Sequence, residues 1–238
     1  MKKLLVSACM LLVFAAVHAA RDSYDGWYMI KSRGKDIGYI RYSVKQGAYE
    51  GRDCWEIDRK SYFKFRFLIK KFEVSTTEKI CLDMKGRLMY MKRVTNEEDN
   101  VSRTIVTPGK GIYNIKTDRG GESKSLVLRT GDFDYSTYGL EFALLMKDAR
   151  FTGKKQLKVF DPDTMGILLG TVEEKGTEEM TYNGEPVKAR VIERWFGKVS
   201  VTLHLAEDGT KLKESAADYD IYLSEEEKVR KKFNLTQP

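Results

Sequence analysis

Apolar and polar positions alternate along most of this chain, and the repeat is two residues. Between Tyr62 and Lys70, Phe63, Phe65, Phe67 and Ile69 fall on one face while Lys64, Arg66 and Lys70 fall on the other, the pattern of a half-buried strand. The same alternation predicts strands over 37–44, 54–59, 72–82, 88–94, 102–107, 111–116, 124–128, 157–160, 167–173, 178–182, 187–195, 199–205 and 212–219. Turn chemistry separates them. Asp83-Met84-Lys85-Gly86, Pro108-Gly109, Arg119-Gly120-Gly121, Tyr182-Asn183-Gly184 and Glu207-Asp208-Gly209 tolerate positive φ and close antiparallel hairpins. Sequential strands should then be sheet neighbours. The expected fold is all-β, a strongly curved antiparallel sheet or open barrel.

Helical spacing interrupts this pattern twice. Over Thr137–Lys147, Leu140, Phe142, Leu144, Leu145 and Met146 make a short apolar helix able to plug an open sheet. Near the C-terminus, Ser224 with Glu227 reads as a capping box, with acids Glu225 and Glu226 first and Lys228 to Lys232 following, a charge order that suits the helix dipole. The two halves also echo each other. Tyr49-Glu50-Gly51 followed by Trp55 and an acidic-Gly turn recurs as Tyr182-Asn183-Gly184 followed by Trp195 and another such turn, which fits an internal duplication or simply repeated hairpin grammar.

The first 19 residues differ from everything behind them. Lys2 and Lys3, the apolar run Leu4 to Val17, and the small residues around Ala19 and Ala20 have the layout of a secretory signal peptide. The run is shorter than the roughly 20 residues that span a bilayer, so cleavage near Ala19 or Ala20 is expected rather than retention as an anchor. Val6-Ser7-Ala8-Cys9 offers a competing reading, a lipid anchor at Cys9, but it would leave Met10 to Val17 as an apolar stretch just inside the mature protein. Residues 20–238 are expected to form a single β-rich periplasmic or secreted domain.

Cleavage changes the charge little. Residues 1–19 hold two of the 42 Lys and Arg and none of the 35 Asp and Glu, so the net charge falls from +7 to +5. Acids and bases interleave nearly everywhere, and no zinc-finger or recognition-helix pattern accompanies them, so nucleic acid is not an expected partner. Peripheral contact with an anionic membrane surface is the better use for the surplus.

Trp27-Tyr28 leading to Gly34-Lys35-Asp36-Ile37-Gly38-Tyr39, Leu82-Asp83-Met84-Lys85-Gly86, and Leu157-Lys158-Val159-Phe160-Asp161 after a short helix resemble the DUF3108-like family of β-rich bacterial periplasmic proteins of unknown function. The resemblance spans most of the mature chain and implies a strongly curved antiparallel sheet, like the open barrels of periplasmic lipoprotein carriers. It implies no catalytic residue.

The inventory for catalysis is thin, and a non-enzymatic role without a cofactor is the expectation. His204 is the one histidine left after cleavage, and no serine sits in a Gly-x-Ser-x-Gly elbow, so neither histidine-rich zinc chemistry nor a serine hydrolase has its residue set. His204 alternates with apolar neighbours and reads as an exposed strand residue. Asp132 with Asp134, and Asp161 with Asp163, could act as acid–base pairs or as oxygen ligands for a hard cation. Their setting reads first as solvated turns, and a carboxylate-based hydrolase ranks last. Cys54 and Cys81 either form a disulfide, worth about 3 kcal/mol by loop entropy, or remain two buried thiols.

The apolar side chains offer more. If the sheet curves into a half-barrel, Phe63, Phe65, Phe67, Ile69, Tyr90, Phe142 and Trp195 could line a cavity for a lipid, an acyl chain or a lipoprotein segment. A filled barrel that binds another envelope protein through its edge strands is the alternative.

Overall fold

The computed structural model describes residues 22–67, 70–98, 100–146, 149–162 and 164–235, without the side chains of residues 66, 67 and 70. The expected signal peptide, Cys9, Ile69 and Asp163 lie outside the described residues. The strands are β1 (Ser23–Ser32), β2 (Lys35–Tyr49), β3 (Arg52–Phe67), β4 (Lys70–Leu82), β5 (Leu88–Glu97), β6 (Asn100–Pro108), β7 (Ile112–Arg119) and β8 (Glu122–Arg129). A two-residue β9 (Tyr135–Ser136) leads into helix α1 (Thr137–Met146). Then follow β10 (Lys155–Asp161), β11 (Gly166–Tyr182), β12 (Glu185–Phe196), β13 (Val199–Ala206), β14 (Lys211–Ser215), β15 (Asp220–Ser224) and helix α2 (Glu226–Phe233).

All strands belong to one curved, unclosed sheet in the order β8-β7-β6-β5-β4-β3-β2-β1-β15-β14-β13-β12-β11-β10-β9. Apart from the parallel β9–β10 pair, every contact is antiparallel. Strand β1 is the hinge of the design: it pairs with β2 on one side and with β15 on the other, so the two ends of the described chain meet in mid-sheet. The hairpins close as their turn residues require. Asn183 and Gly184 sit at φ 50 and 85, values that suit a tight two-residue turn and are strained for branched side chains.

Several elements depart from the periodicity. The alternation expected as a separate strand over 62–70 continues the 54–59 strand as β3, which ends at Phe67, while Lys70 opens β4; the strands expected over 167–173 and 178–182 are one, β11. Strand β1 shows no alternation because Tyr28 and Ile30 face the concave core while Trp27 and Met29, on the opposite face, are buried under α2 with Val229 and Phe233. The segment 212–219, expected as one strand, is two, broken at the Ala216–Tyr219 turn. The Ser224 capping box does not form. Ser224 is held in the sheet opposite Trp27, so the N-cap falls to Glu225, which makes no side-chain cap bond. Asn234 closes α2 in the left-handed conformation, its N–H donating to the Arg230 carbonyl.

Helix α1 fills one end of the half-barrel. The Ser136 Oγ accepts the Gly139 N–H at 3.0 Å and caps it. Leu140, Phe142, Leu144 and Leu145 are buried, and Phe142 packs against Trp55 with ring centroids 5.4 Å apart. Two hairpin turns hold the helix from opposite walls. A Cβ on Gly139 would lie 2.6 Å from the Gly86 carbonyl, and one on Gly209 would lie 2.5 Å from the Leu145 carbonyl, so only glycine permits either approach.

Candidate functional site

The register of β2 to β7 sorts the inward-facing side chains into rungs that run across the sheet. The lowest rungs are apolar: Trp55 faces Leu82, and Ile57, Ile80, Met91, Val106 and Ile115 align from β3 to β7 beside α1. The next rung is charged or hydroxylic: Tyr42, Arg59, Glu78, Arg93, Thr104 and Thr117. Above it run Ile40, Ser61, Thr76, Thr95 and Ser102, with Thr76 and Thr95 hydroxyls 3.2 Å apart. Among the described side chains, the inward positions beyond it on β3 and β4 are apolar again, with Phe63 opposite Val74 and Phe65 opposite Phe72. A half-barrel with a filled base, a polar floor and an apolar mouth results.

Ion pairs build the floor from both walls and from the helix. Glu78, 1% exposed, takes the Tyr138 hydroxyl at 2.5 Å and lies 3.1 Å from both Arg59 Nη1 and Arg93 Nε. Lys211 Nζ lies 2.7 Å from Glu141 and 3.4 Å from Glu214, which in turn meets Arg194 at 3.5 Å. Tyr138 and Glu141, three residues apart on α1, present one polar helix face to this layer. Tyr24 and Tyr28 join hydroxyls below Lys211, whose ammonium sits 5.0 Å from the Tyr28 ring centroid.

Burial alone would raise the Glu141 carboxyl; Lys211, Arg59 and Arg194 outweigh it and bring it down to about 2. Burial disfavours the Arg59 and Lys211 cations, yet Glu78 and Glu141 for Arg59, and Glu141 and Glu214 for Lys211, raise both. Burial also pushes up the Tyr138 and Tyr42 hydroxyls. Glu141, Arg59 and Lys211 are therefore fixed charges at neutral pH, and Tyr138 and Tyr42 are neutral hydroxyls.

The expected ligand-binding residues divide between two faces. Phe63 is half-buried, Phe65 is 43% exposed and stacks on Phe72 at 5.2 Å, and Phe142 is wholly buried in the base, all on the concave side. Tyr90 and Trp195 instead lie on the convex side. Tyr90 stacks on Tyr49, and Trp195 meets the ammonium groups of Lys154 and Lys175. The side chain of Phe67 lies outside the described residues. The two Tyr-x-Gly hairpins share left-handed turn residues, Glu50–Gly51 and Asn183–Gly184, but Trp55 points inward and Trp195 outward.

Cys54 and Cys81 are neighbours on the convex side of β3 and β4, unbridged, with their thiols in hydrogen-bonding contact. Burial raises both, and the Cys54 sulfur helps push Cys81 up to about 12. His204 is on the convex face as its alternation requires, but it is buried rather than exposed, with Nε2 2.7 Å from Glu178. Asp132 and Asp134 accept backbone N–H groups of Arg129 and Lys158, and Asp161 accepts the Thr164 hydroxyl, so these carboxylates hold turns together. A separate open cleft of about 1030 Å³ lies at the α1 end between Asp83, Arg87, Tyr113 and Phe133; there Asp83 already binds Arg87 and two backbone N–H groups.

The polar floor had no signature in the sequence, because Arg59, Glu78 and Arg93 come from three different strands. One signal was present: charged residues occupy inward positions of otherwise apolar alternation.

No protein-family model matches the chain, and a search of curated proteins finds no match. Among solved structures the chain is similar to the crystal structure of a β-barrel-like protein of domain of unknown function DUF1849 from Brucella abortus, with a TM-score of 0.59 and 11% sequence identity. The likeness covers 84% of this chain and 95% of that one. At such identity it shows the fold alone, and it bears on a β-rich domain of unknown function rather than on DUF3108 in particular. The chain has the fold of a β-barrel-like domain whose sheet remains open.

Proposed function

We propose that this is an exported, non-enzymatic protein that holds the apolar part of a ligand, such as an acyl chain, in the mouth of its half-barrel. The observation that carries the reading is Phe65. It points to the concave side, stacks on Phe72 and still leaves 43% of its surface to solvent, whereas Trp55 on the same face of the same strand is buried under α1. Phe65, beside half-buried Phe63, Phe72 and Val74 on a concave wall, leaves apolar surface open to solvent. The layout of residues 1–19 and the resemblance to DUF3108-like periplasmic proteins support export to the cell envelope.

Binding of a fluorescent long-chain fatty-acid analogue to the purified mature domain, followed by titration, tests this. Saturable binding that falls at least tenfold in Phe65→Glu is expected, because a carboxylate there would repel and wet the chain. Absence of saturable binding, or an unchanged affinity in Phe65→Glu, would refute the reading. Intact mass of protein recovered from a periplasmic fraction tests export separately: a mature chain beginning at Ala20 or Arg21 is expected, and a retained residue 1 would contradict it.

A further inference from the structure

One rung of hydroxyls, Ser61, Thr76 and Thr95, separates the mouth from the charged floor, and the floor is not balanced. Its described charges are four cations, Arg59, Arg93, Arg194 and Lys211, against three carboxylates, Glu78, Glu141 and Glu214. Lys211 is enclosed between two of the carboxylates and Glu78 is enclosed beneath the two β-wall guanidiniums. Arg59 is the most open of the set, with 28% of its side chain exposed. Arg194 of β12 and Arg59 of β3 both act on Glu141 and on the Tyr219 hydroxyl.

Two buried donors in this layer are unused. The Tyr42 hydroxyl, on a residue 1% exposed and directly across the sheet from Arg59, has no hydrogen-bond partner among the described residues. The Arg194 Nε is likewise without one. A buried polar group left unpaired costs roughly 1–3 kcal/mol, so donors kept in this state beside an excess cation mark a place for an acceptor. An acceptor carrying one negative charge would neutralise the layer; a second charge would restore an imbalance in a poorly solvated place.

We infer that the floor is the headgroup site for the ligand of the mouth, and that the ligand is a single-chain amphiphile with a monoanionic headgroup, its chain along Phe63, Phe65 and Phe72 and its anion between Arg59, Arg194 and the Tyr42 hydroxyl. The inference rests on the apolar mouth being a chain site. The charge-assisted bonds from guanidinium to the anion would supply selectivity, and the stacked aromatics would supply affinity common to all chains.

The test compares four ligands of similar chain length on the wild-type domain by calorimetry: palmitate, lysophosphatidylglycerol, hexadecanol and lysophosphatidylcholine. At least one of the two monoanions should bind tenfold or more tightly than the alcohol and the zwitterion. Palmitate alone being favoured would assign a carboxylate, and lysophosphatidylglycerol alone a phosphodiester. Tyr42→Phe removes an unpartnered hydroxyl and so leaves the fold intact; it should weaken the favoured monoanion several-fold without changing hexadecanol, and Arg59→Met should abolish the preference. Equal affinities for all four would overturn the headgroup inference while the chain site stands. Binding of none would overturn the chain site and the inference with it.

Discussion

Glu78 ties Tyr138 of α1 to Arg59 of β3 and Arg93 of β5, and replacing it with glutamine should be among the most damaging isosteric changes in the molecule. The side chain is 1% exposed and is met by Tyr138, Arg59 and Arg93 at 2.5, 3.1 and 3.1 Å. Glutamine keeps the volume and one acceptor but removes the negative charge that Arg59 and Arg93 share. Removing one partner of a buried charge network costs about 3–5 kcal/mol. Arg59 and Arg93 retain 28% and 17% side-chain exposure, so water takes up part of the loss and about 3 kcal/mol is expected. In a domain of this size that lowers the midpoint of thermal unfolding by roughly 6–12 °C. Urea unfolding followed by far-UV circular dichroism measures it, with Tyr138→Phe as the control that removes only the hydroxyl and costs about 1 kcal/mol. A loss below about 1 kcal/mol in Glu78→Gln, equal to that of Tyr138→Phe, would show that the charge of Glu78 does not hold the layer together.

Glu141 has a lowered carboxyl in the folded protein, about 2 against an ordinary 4.5, so its contribution is complete above pH 4.5 and is lost as pH falls toward 2. Acid unfolding should therefore steepen across that window by up to about 3 kcal/mol, and Glu141→Gln should flatten it; an identical pH profile in the variant would contradict the assignment. Cys54 and Cys81 should bridge under mild oxidation, visible as a 2 Da loss in intact mass, whereas the raised thiols should alkylate slowly at pH 8 in the reduced protein. Rapid modification of both thiols in the folded state would argue against their burial. Gly139→Ala should cost about 1–3 kcal/mol, because the new methyl meets the Gly86 carbonyl at 2.6 Å; a change within 0.5 kcal/mol would mean that the helix can shift away from the turn.

Much of the fold was legible because its rules are local. Alternation within β3 and β4 announces strands, and the Asp-Gly and Asn-Gly turns between later strands announce antiparallel neighbours, but the alternation runs on to Lys70 and does not mark the end of β3 at Phe67. Strand β1 was not legible, because both its faces are buried, one by the barrel interior and one by α2, and a strand covered twice has no period. Tyr90 and Trp195 could not be assigned to a face from sequence for a related reason. The bulge between Cys81 and Leu82 shifts the β4–β5 register, and the face of Trp195 depends on a register between β11 and β12 that is interrupted at Glu174–Gly176. The polar floor was hidden because each member is an ordinary charged residue in its own strand; only the ladder brings Arg59, Glu78 and Arg93 side by side.

The distinction between core and mouth can be read along one face of β3, where the alternation alone treats Trp55 and Phe65 as equivalent. Trp55 is 2% exposed and lies against Phe142 of the plug helix; Phe65 is 43% exposed and touches Phe72. Truncating a buried tryptophan to alanine costs about 3–5 kcal/mol in lost transfer energy and cavity, whereas an exposed ring stacked on one neighbour loses about 1 kcal/mol or less. Urea denaturation of Trp55→Ala and Phe65→Ala should therefore separate them by at least 2 kcal/mol. Measured beside chain binding, the same two variants should reverse their order: Phe65→Ala keeps stability and loses affinity, while folded Trp55→Ala keeps affinity. Equal destabilisation would mean that Phe65 is ordinary core and that the half-barrel is filled to its rim. A stable Phe65→Ala that no longer binds would mean that the aromatic pair persists at the mouth for a ligand and not for the fold.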